Sequence, residues 1–296
     1  MSDHPLPTRW LRLPRLAPAR DGGTRRLVVC LVIVIAYALL AIFGPVVTGY
    51  NPITTYVQDR LLPPGSLLSN GSVALLGTDQ VGRDILGQVF MGARVSMVAG
   101  IATLLLAGLI GITVGLLAGY FGGILDSILM RIADIQLAFP SILLAILIAA
   151  ILGPSFFNLI LVLAIANWVV FARVTRSQVL ALKNREYVDA ARTLGARNLY
   201  LIVRTIFPGC VAPLLVVATV EIGHVIVAEA SLSFLGLGTP ASLPSWGLTI
   251  SDGRDYLIDA WWISTFPGIA LALLVLTLGV LGDTIRDRLD PKLRSL

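Results

Sequence analysis

Charge is scarce in this chain: 13% of its 296 residues are Asp, Glu, Lys or Arg, about half the share usual in a water-soluble domain. Histidine occurs twice and cysteine twice. Cys30 and Cys210 stand in no metal-ligand spacing, and both read as small buried hydrophobes. No Gly-x-x-x-x-Gly-Lys-Ser/Thr segment is present, so the chain has no phosphate loop of that kind to cradle ATP. His-Glu-x-x-His and Gly-x-Ser-x-Gly are also missing, and no Ser/His/Asp set is spaced as a nucleophile needs, which leaves an intramembrane enzyme without support.

Apolar side chains fill the space that charge leaves. Hydrophobic residues make up 56% of the sequence and mean hydropathy is +0.88, values that make lipid the solvent. A spanning helix takes about 20 residues, so the length has room for about six spans and their loops. Apolar stretches of that size run from Leu27 to Val47, Val95 to Gly119, Ile132 to Leu152, Ser155 to Ala172, Val211 to Leu235 and Ala260 to Gly282. The expected fold class is an all-α membrane protein with six transmembrane helices. Its divisions are a basic, disordered tail over 1–26, a first helix over 27–47, an outer loop over 48–94, a five-helix core over 95–285 with a cytoplasmic connection over 173–208, and a tail over 286–296. The first stretch is too long for a cleaved leader and reads as a retained anchor. Pro267 is tolerable within its span because membrane neighbours can satisfy the freed carbonyl.

Lys and Arg set the orientation. Eighteen of the 22 fall in the N-terminal tail, at Arg131, between Arg173 and Arg204, or in the C-terminal tail. Only Arg60, Arg83, Arg94 and Arg254 fall on the other side, so the positive-inside rule places both termini in the cytoplasm. The net charge of +5 follows from this topology, and no basic stripe suggests nucleic acid. Gly108, Gly111, Gly115 and Gly119 put small residues on one face of the second span, where another helix can approach closely.

The cytoplasmic stretch Leu182 to Gly195 has the pattern of a short amphipathic helix, with Val188, Ala191 and Leu194 on one narrow face. Gly195 supplies a left-handed end, Asn198 is expected to cap a second helix, and Pro208 to stop it. Asp189-Ala190-Ala191, then Gly195, then Pro208 resembles the EAA loop of ABC-importer permeases, although Asp189 stands for the commoner glutamate and Thr205 and Phe207 replace larger aliphatic residues. That resemblance implies a helix, with Tyr187 and Leu194 among its residues, that docks in a groove of an ATPase subunit.

Three further segments are similar to the C-type permeases of dipeptide, oligopeptide and nickel importers: Leu76-Gly-Thr-Asp-Gln-Val-Gly-Arg-Asp84, Glu229 to Gly238 with Ser245-Trp-Gly247, and Gly282 to Lys292. The resemblance implies the type I ABC importer fold in a prokaryotic plasma or inner membrane. It also implies a second, related permease, two ATP-binding subunits or one fused ATPase, and an extracytoplasmic peptide-binding protein. ATP and Mg would be held by those partners, with no cofactor in this chain. Peptide is the expected solute, with a nickel chelate as the alternative. The outer loop bearing Thr78, Asp79, Arg83 and Asp84, together with the Gly236 to Asp259 loop bearing Trp246, is expected from the resemblance to face the binding protein. By local chemistry Thr78 and Asp79 read as N-caps, Gly82 as a turn residue, and Arg83 with Asp84 as an ion pair.

Ionisable groups within apolar stretches are expensive, about 2.5–3.5 kcal/mol for a mid-membrane charge on insertion scales. Asp134, Glu221, His224 and Glu229 are therefore expected at a cavity or a permease–permease contact, with a buried structural acid as the alternative for Glu229. Glu221 and His224 share a helix face, but a carboxylate-bridged metal site needs a second Glu-x-x-His pair that the sequence does not contain. A proton-coupled carrier would use such carboxylates too, together with an internal repeat that is not seen.

Overall fold

The computed structural model describes residues 21–289. The first twenty residues of the basic tail and residues 290–296, both expected on the cytoplasmic side, lie outside the described residues.

Ten α-helices, three short 3₁₀ or π turns and one small hairpin make up the described residues. Helix α1 (Asp21–Thr48) leads into an irregular outer segment that holds an antiparallel hairpin of β1 (Ser66–Leu67) and β2 (Val73–Ala74), with Ser66 opposite Ala74. Then follow α2 (Ile85–Phe121), α3 (Gly123–Leu137), α4 (Ser141–Leu152), α5 (Phe156–Leu182), α6 (Glu186–Thr193), α7 (Asn198–Tyr200), a π-helical turn (Leu201–Ile206), α8 (Phe207–Phe234), α9 (Trp246–Gly253) and α10 (Trp262–Leu289). Among the described residues five helical segments are long and apolar enough to cross a membrane, and six if the bent pair α3 and α4 makes one span.

Three differences from the hydropathy pattern have local causes. Helix α2 is 37 residues long and begins at Ile85, ten residues before the apolar stretch, because Ile85 and Gln88 are buried against the outer segment. The stretch expected to span from Ile132 to Leu152 is broken by an 89° bend. Pro140 disfavours helical geometry at Phe139 and begins α4 afresh, so α3 ends at Leu137. Pro208 does not stop the helix that begins at Asn198, which runs on to Phe234. The π turn shifts bonding by one residue, the Phe207 N–H reaching the Ile202 carbonyl, and the missing proline donor then falls where the ladder is already re-registered. Pro267, as expected, leaves α10 continuous.

The core is the seam between α2 and α5. A Cβ on Gly111 would collide with the Trp168 carbonyl oxygen and with Phe171 Cβ, one on Gly115 would lie 2.6 Å from Thr175 Cβ, and one on Gly119 would lie 2.8 Å from Val179 Cβ. Small residues at four-residue spacing thus let the two backbones touch. Gly108 meets nothing within 4 Å and takes no part. The second tie is aromatic: the Tyr37 hydroxyl of α1 donates to the Ala270 carbonyl of α10 at 2.9 Å, and its ring stands edge-on to Trp246. Cys30 and Cys210 are free and buried, as expected of small hydrophobes.

Candidate functional site

The inner connection is built around Gly195. Its φ of +85° is the left-handed value that glycine adopts without steric cost. Two hydrogen bonds close the end of α6, from the Gly195 N–H to the Arg192 carbonyl at 3.0 Å and from the Ala196 N–H to the Ala191 carbonyl at 3.1 Å. Those are the two bonds of a Schellman cap, with Ala191 and Ala196 making its apolar contact against the core. Val188 is fully buried beside Leu201, Ile206 and Cys210, so α6 lies against the start of the long seventh-to-eighth helix. Ala190 and Asp189 lie on the opposite, exposed face.

That arrangement divides the expected apolar face. Val188 points inward, whereas Leu194 is 88% exposed and Tyr187 is also exposed. Leu199 and Tyr200, which sequence reasoning passed over, are exposed just beyond the turn. Their signal was four large apolar residues in a polar connection. Asp189 makes a surface pair with Arg192 at 2.9 Å, an interaction worth little by itself. Asn198 is not the cap expected of it. Arg197 occupies that position without a side-chain bond, and Asn198 Oδ1 accepts from the Tyr120 hydroxyl at 2.8 Å. Tyr120 at the end of α2 is better placed to claim that oxygen than the short helix is. Lys183 Nζ donates to the Gly119 carbonyl at 2.9 Å, which further fastens the connection to α2.

In the outer segment the residues expected to face a partner are mostly buried. Thr78 is fully buried, donating to the Asp59 carbonyl at 2.6 Å and accepting from the Leu62 N–H at 2.8 Å. Asp79 is buried too, and organises a turn: one oxygen accepts from the Val81 and Arg83 N–H groups, the other from Arg83 Nε at 2.6 Å and Gln88 Nε2 at 2.7 Å. The α2 N-cap is therefore Asp84, which accepts from the Gly87 N–H at 2.9 Å, and neither Thr78 nor Asp79 fills that role. Arg83 pairs with Asp79 and more loosely with Asp252 of α9 at 3.6 Å, not with Asp84. An adjacent residue in extended conformation points its side chain elsewhere, whereas the tight turn brings Asp79 back onto Arg83. Gly82, with φ +80°, is the turn residue expected; a Cβ there would strike the Tyr56 carbonyl oxygen. Trp246 is wholly buried and donates from Nε1 to the Val89 carbonyl at 3.0 Å, with Gly92 leaving room for its ring. Thr78, Asp79 and Trp246 hold the outer frame together and are not on its surface.

Electrostatics of this frame follow from its burial. Burial pushes the Asp252 carboxyl above its ordinary value, against the pull of Arg83, and burial does the same to Asp84 against the Gly87 and Leu86 N–H groups. Burial disfavours the Arg83 charge, but the Asp79 carboxylate outweighs it and holds the guanidinium above its usual value.

The four ionisable residues of the apolar stretches do not come together. Glu229 is fully buried between α2 and α8, its two oxygens accepting from Ser96 Oγ at 2.7 Å and Ser233 Oγ at 2.8 Å. It is the structural acid of the two readings, and faces neither a cavity nor a partner surface, because both oxygens are engaged inside the bundle. Asp134 pairs with Arg173 of α5 at 2.6 Å, both side chains half exposed. Asp126, which lies between two of the apolar stretches and so was not singled out from the sequence, makes a two-pronged pair with Arg176 at 2.5 and 2.6 Å. Glu221 and His224 share a face of α8 at 3.6 Å. Among the described residues no three His, Cys, Asp or Glu side chains gather as a metal site.

Comparison with known proteins gives a consistent answer. Residues 111–295 match the family model described as the binding-protein-dependent transport system inner membrane component, and residues 25–64 match the N-terminal transmembrane domain of oligopeptide transport permease C. The chain is 42% identical to a di/tripeptide transport system permease protein of Pseudomonas aeruginosa, over 86% of this chain and 84% of that one. It is 42% identical to a dipeptide transport system permease protein of Alkalihalophilus pseudofirmus, over 90% and 86%. It is 40% identical to a glutathione transport system permease protein of Pectobacterium atrosepticum, over 97% and 91%. An inward-facing methionine ABC transporter has a similar fold, with a TM-score of 0.51 and 18% identity over 69% of this chain and 96% of that one.

Proposed function

This chain belongs to the family of binding-protein-dependent transport system inner membrane components, as a C-type permease, and from that premise we propose how it moves its solute. It is a multi-pass subunit of a bacterial inner-membrane ABC importer for peptides, and it is not itself an enzyme. ATPase and substrate-binding components work with it. In this reading both termini and the connection over 173–208 face the cytoplasm, supported by the distribution of Lys and Arg. A second, related permease completes the pore. Two ATPase subunits, or one fused chain, bind ATP and Mg below it, and a binding protein delivers peptide from outside.

One observation carries the mechanism: the Schellman-capped turn at Gly195 joins a short helix with exposed Tyr187 and Leu194 to an unbroken helix from Asn198 to Phe234. At 1.5 Å per residue that helix is about 55 Å long, so a push at its inner end reaches the outer half of the bundle. Tyr187, Asp189, Ala190 and Leu194 form the docking surface, small at Ala190 for close approach, while Ala191 seats the helix on the core. Gly195 fixes its angle, and Pro208 sits inside the lever. ATP-driven closure of the ATPases then alternates access to the pore.

Co-expression with the neighbouring permease and ATPase genes tests this reading. ATPase subunits should co-purify with the chain and be lost with Gly195→Asp. A lone chain that moves solute under a proton gradient would overturn it.

A further inference from the structure

Resting on the importer reading above, we infer that Glu221 and His224 line the solute path and recognise a primary ammonium group of the passing peptide.

Depth is the first ground. Helix α8 ends at Phe234, ten residues beyond His224, which puts the imidazole about 15 Å along the axis from that end. The hydrocarbon core is about 30 Å thick, so a helix of 28 residues keeps this position inside it. At that depth the His224 side chain is 70% exposed. On the same side of α8, Val220 and Val227, four residues before and three after it, are also exposed. The exposed side chains Val98, Ile101, Leu105 and Leu109 of α2 have no ionisable group among them and suit lipid, whereas the exposed valines of α8 flank an imidazole. Polar side chains inside the membrane face the bundle interior or a water-filled cavity. The His224 face of α8 is therefore the wet one.

Charge is the second ground. Glu229 is consumed by two serines, Asp134 by Arg173 and Asp126 by Arg176. Glu221 has no Lys or Arg partner among the described residues. Its nearest basic group is His224 Nδ1 at 3.6 Å, too long for a hydrogen bond, so the carboxylate keeps its acceptor capacity. The side chain is 12% exposed, enough to reach the face beside the imidazole while mostly shielded from water. A carboxylate in such a place attracts a compact cation with several donors. A primary ammonium supplies three. In a peptide that group is the N-terminus or a lysine side chain, and His224, with a free ring nitrogen, can take a neighbouring amide.

The test uses the complete importer in proteoliposomes, with uptake measured for trialanine, N-acetyl-trialanine and N-acetyl-Ala-Lys-Ala. For Glu221→Gln we expect the KM of trialanine to rise about tenfold, the loss of one charge-assisted hydrogen bond, with Glu221→Asp restoring much of it. Uptake of N-acetyl-trialanine should be unchanged by the substitution. Sensitivity of the N-acetyl-Ala-Lys-Ala arm would assign the lysine ammonium as a second source. In a Cys30→Ala, Cys210→Ala background, His224→Cys should react with a hydrophilic methanethiosulfonate, and trialanine should slow the reaction. Equal loss for acetylated and free peptides, or a His224→Cys thiol silent with and without ATP, would overturn the inference and assign this face to the partner permease or to lipid. Co-purification of the ATPase with the unsubstituted chain is scored separately. Its failure overturns the importer reading itself, whereas intact co-purification with an unresponsive pair overturns only the present inference.

Discussion

Ser96 of α2 donates its hydroxyl to Glu229 of α8 at 2.7 Å, across 133 residues of sequence and wholly inside the bundle. Ser233, one turn on from Glu229, engages the other oxygen. A buried carboxylate is tolerated when its oxygens are filled, and breaking such an arrangement from one side costs several kcal/mol.

Glu229→Leu should therefore destabilise the purified complex by about 2–4 kcal/mol, since two buried hydroxyls lose their acceptor and a carboxylate-shaped space is refilled imperfectly. Glu229→Gln should cost much less, because both serine hydroxyls can rotate to suit an amide. Thermal unfolding of the two variants in detergent checks the order. Equal losses would mean that shape and not hydrogen bonding holds α2 to α8.

The α2–α5 seam offers a contrast between glycines of one stripe. Gly111→Ala places a methyl group against the Trp168 carbonyl oxygen and Phe171 Cβ, and backbone cannot yield as a side-chain tip does. A loss of about 1–3 kcal/mol is expected, as for other overpacked interiors. Gly108→Ala meets open space and should be neutral or slightly stabilising. Membrane yield and thermal stability of the two variants measure the difference.

Much of this was written in the sequence, and what was not has particular causes. Gly195, Gly82 and the glycine stripe were legible because each demands a backbone or a closeness that a side chain forbids. The apolar stretches gave the helices but not the break at Pro140, since hydropathy is blind to direction. The family resemblance places Thr78, Asp79 and Trp246 on a partner-facing surface, while local chemistry gives Thr78 and Asp79 only a capping role. Their burial depends on partners 19, 9 and 157 residues away, Asp59, Gln88 and Val89, that no local pattern announces. Glu229 was legible as an expensive group but not as a satisfied one, because Ser96 lies on another helix.

Arg83 is the outer counterpart of Glu229. Its guanidinium is mostly buried and lies 2.6 Å from an Asp79 carboxylate that is almost wholly so. Arg83→Ala leaves that carboxylate with backbone and Gln88 donors but no cation, a change worth about 3–5 kcal/mol for a buried pair broken from one side. The turn that carries Asp84 to the head of α2 should loosen with it. Limited proteolysis between residues 60 and 84 should accelerate, and Asp79→Asn combined with Arg83→Ala should recover part of the loss by removing the stranded charge. No recovery in the double variant would place the contribution of Arg83 in its looser contact with Asp252.

Leu194 and Gly195 stand side by side in the connection, yet their substitutions should fail differently. Leu194 is 88% exposed, so Leu194→Ala removes almost no intramolecular packing and should leave thermal stability within about 0.5 kcal/mol. If its side chain is the apolar knob of the docking surface, ATPase affinity should nevertheless fall by about tenfold or more, as for other buried interface anchors. Gly195→Ala meets no neighbouring atom but must hold φ near +85°, a conformation costing an L-residue roughly 1–2 kcal/mol. Relief of that strain would open the Schellman cap and turn α6 away from its seat on Leu201 and Ile206. The expected pattern is a stable Leu194→Ala protein that docks weakly, and a Gly195→Ala protein that is both less stable and poorly coupled, hydrolysing ATP with little uptake. Thermal unfolding, ATPase titration and the ratio of uptake to hydrolysis on the same preparations separate the two. A Gly195→Ala variant with full coupling would show that the angle of α6, unlike its surface, does not carry the push.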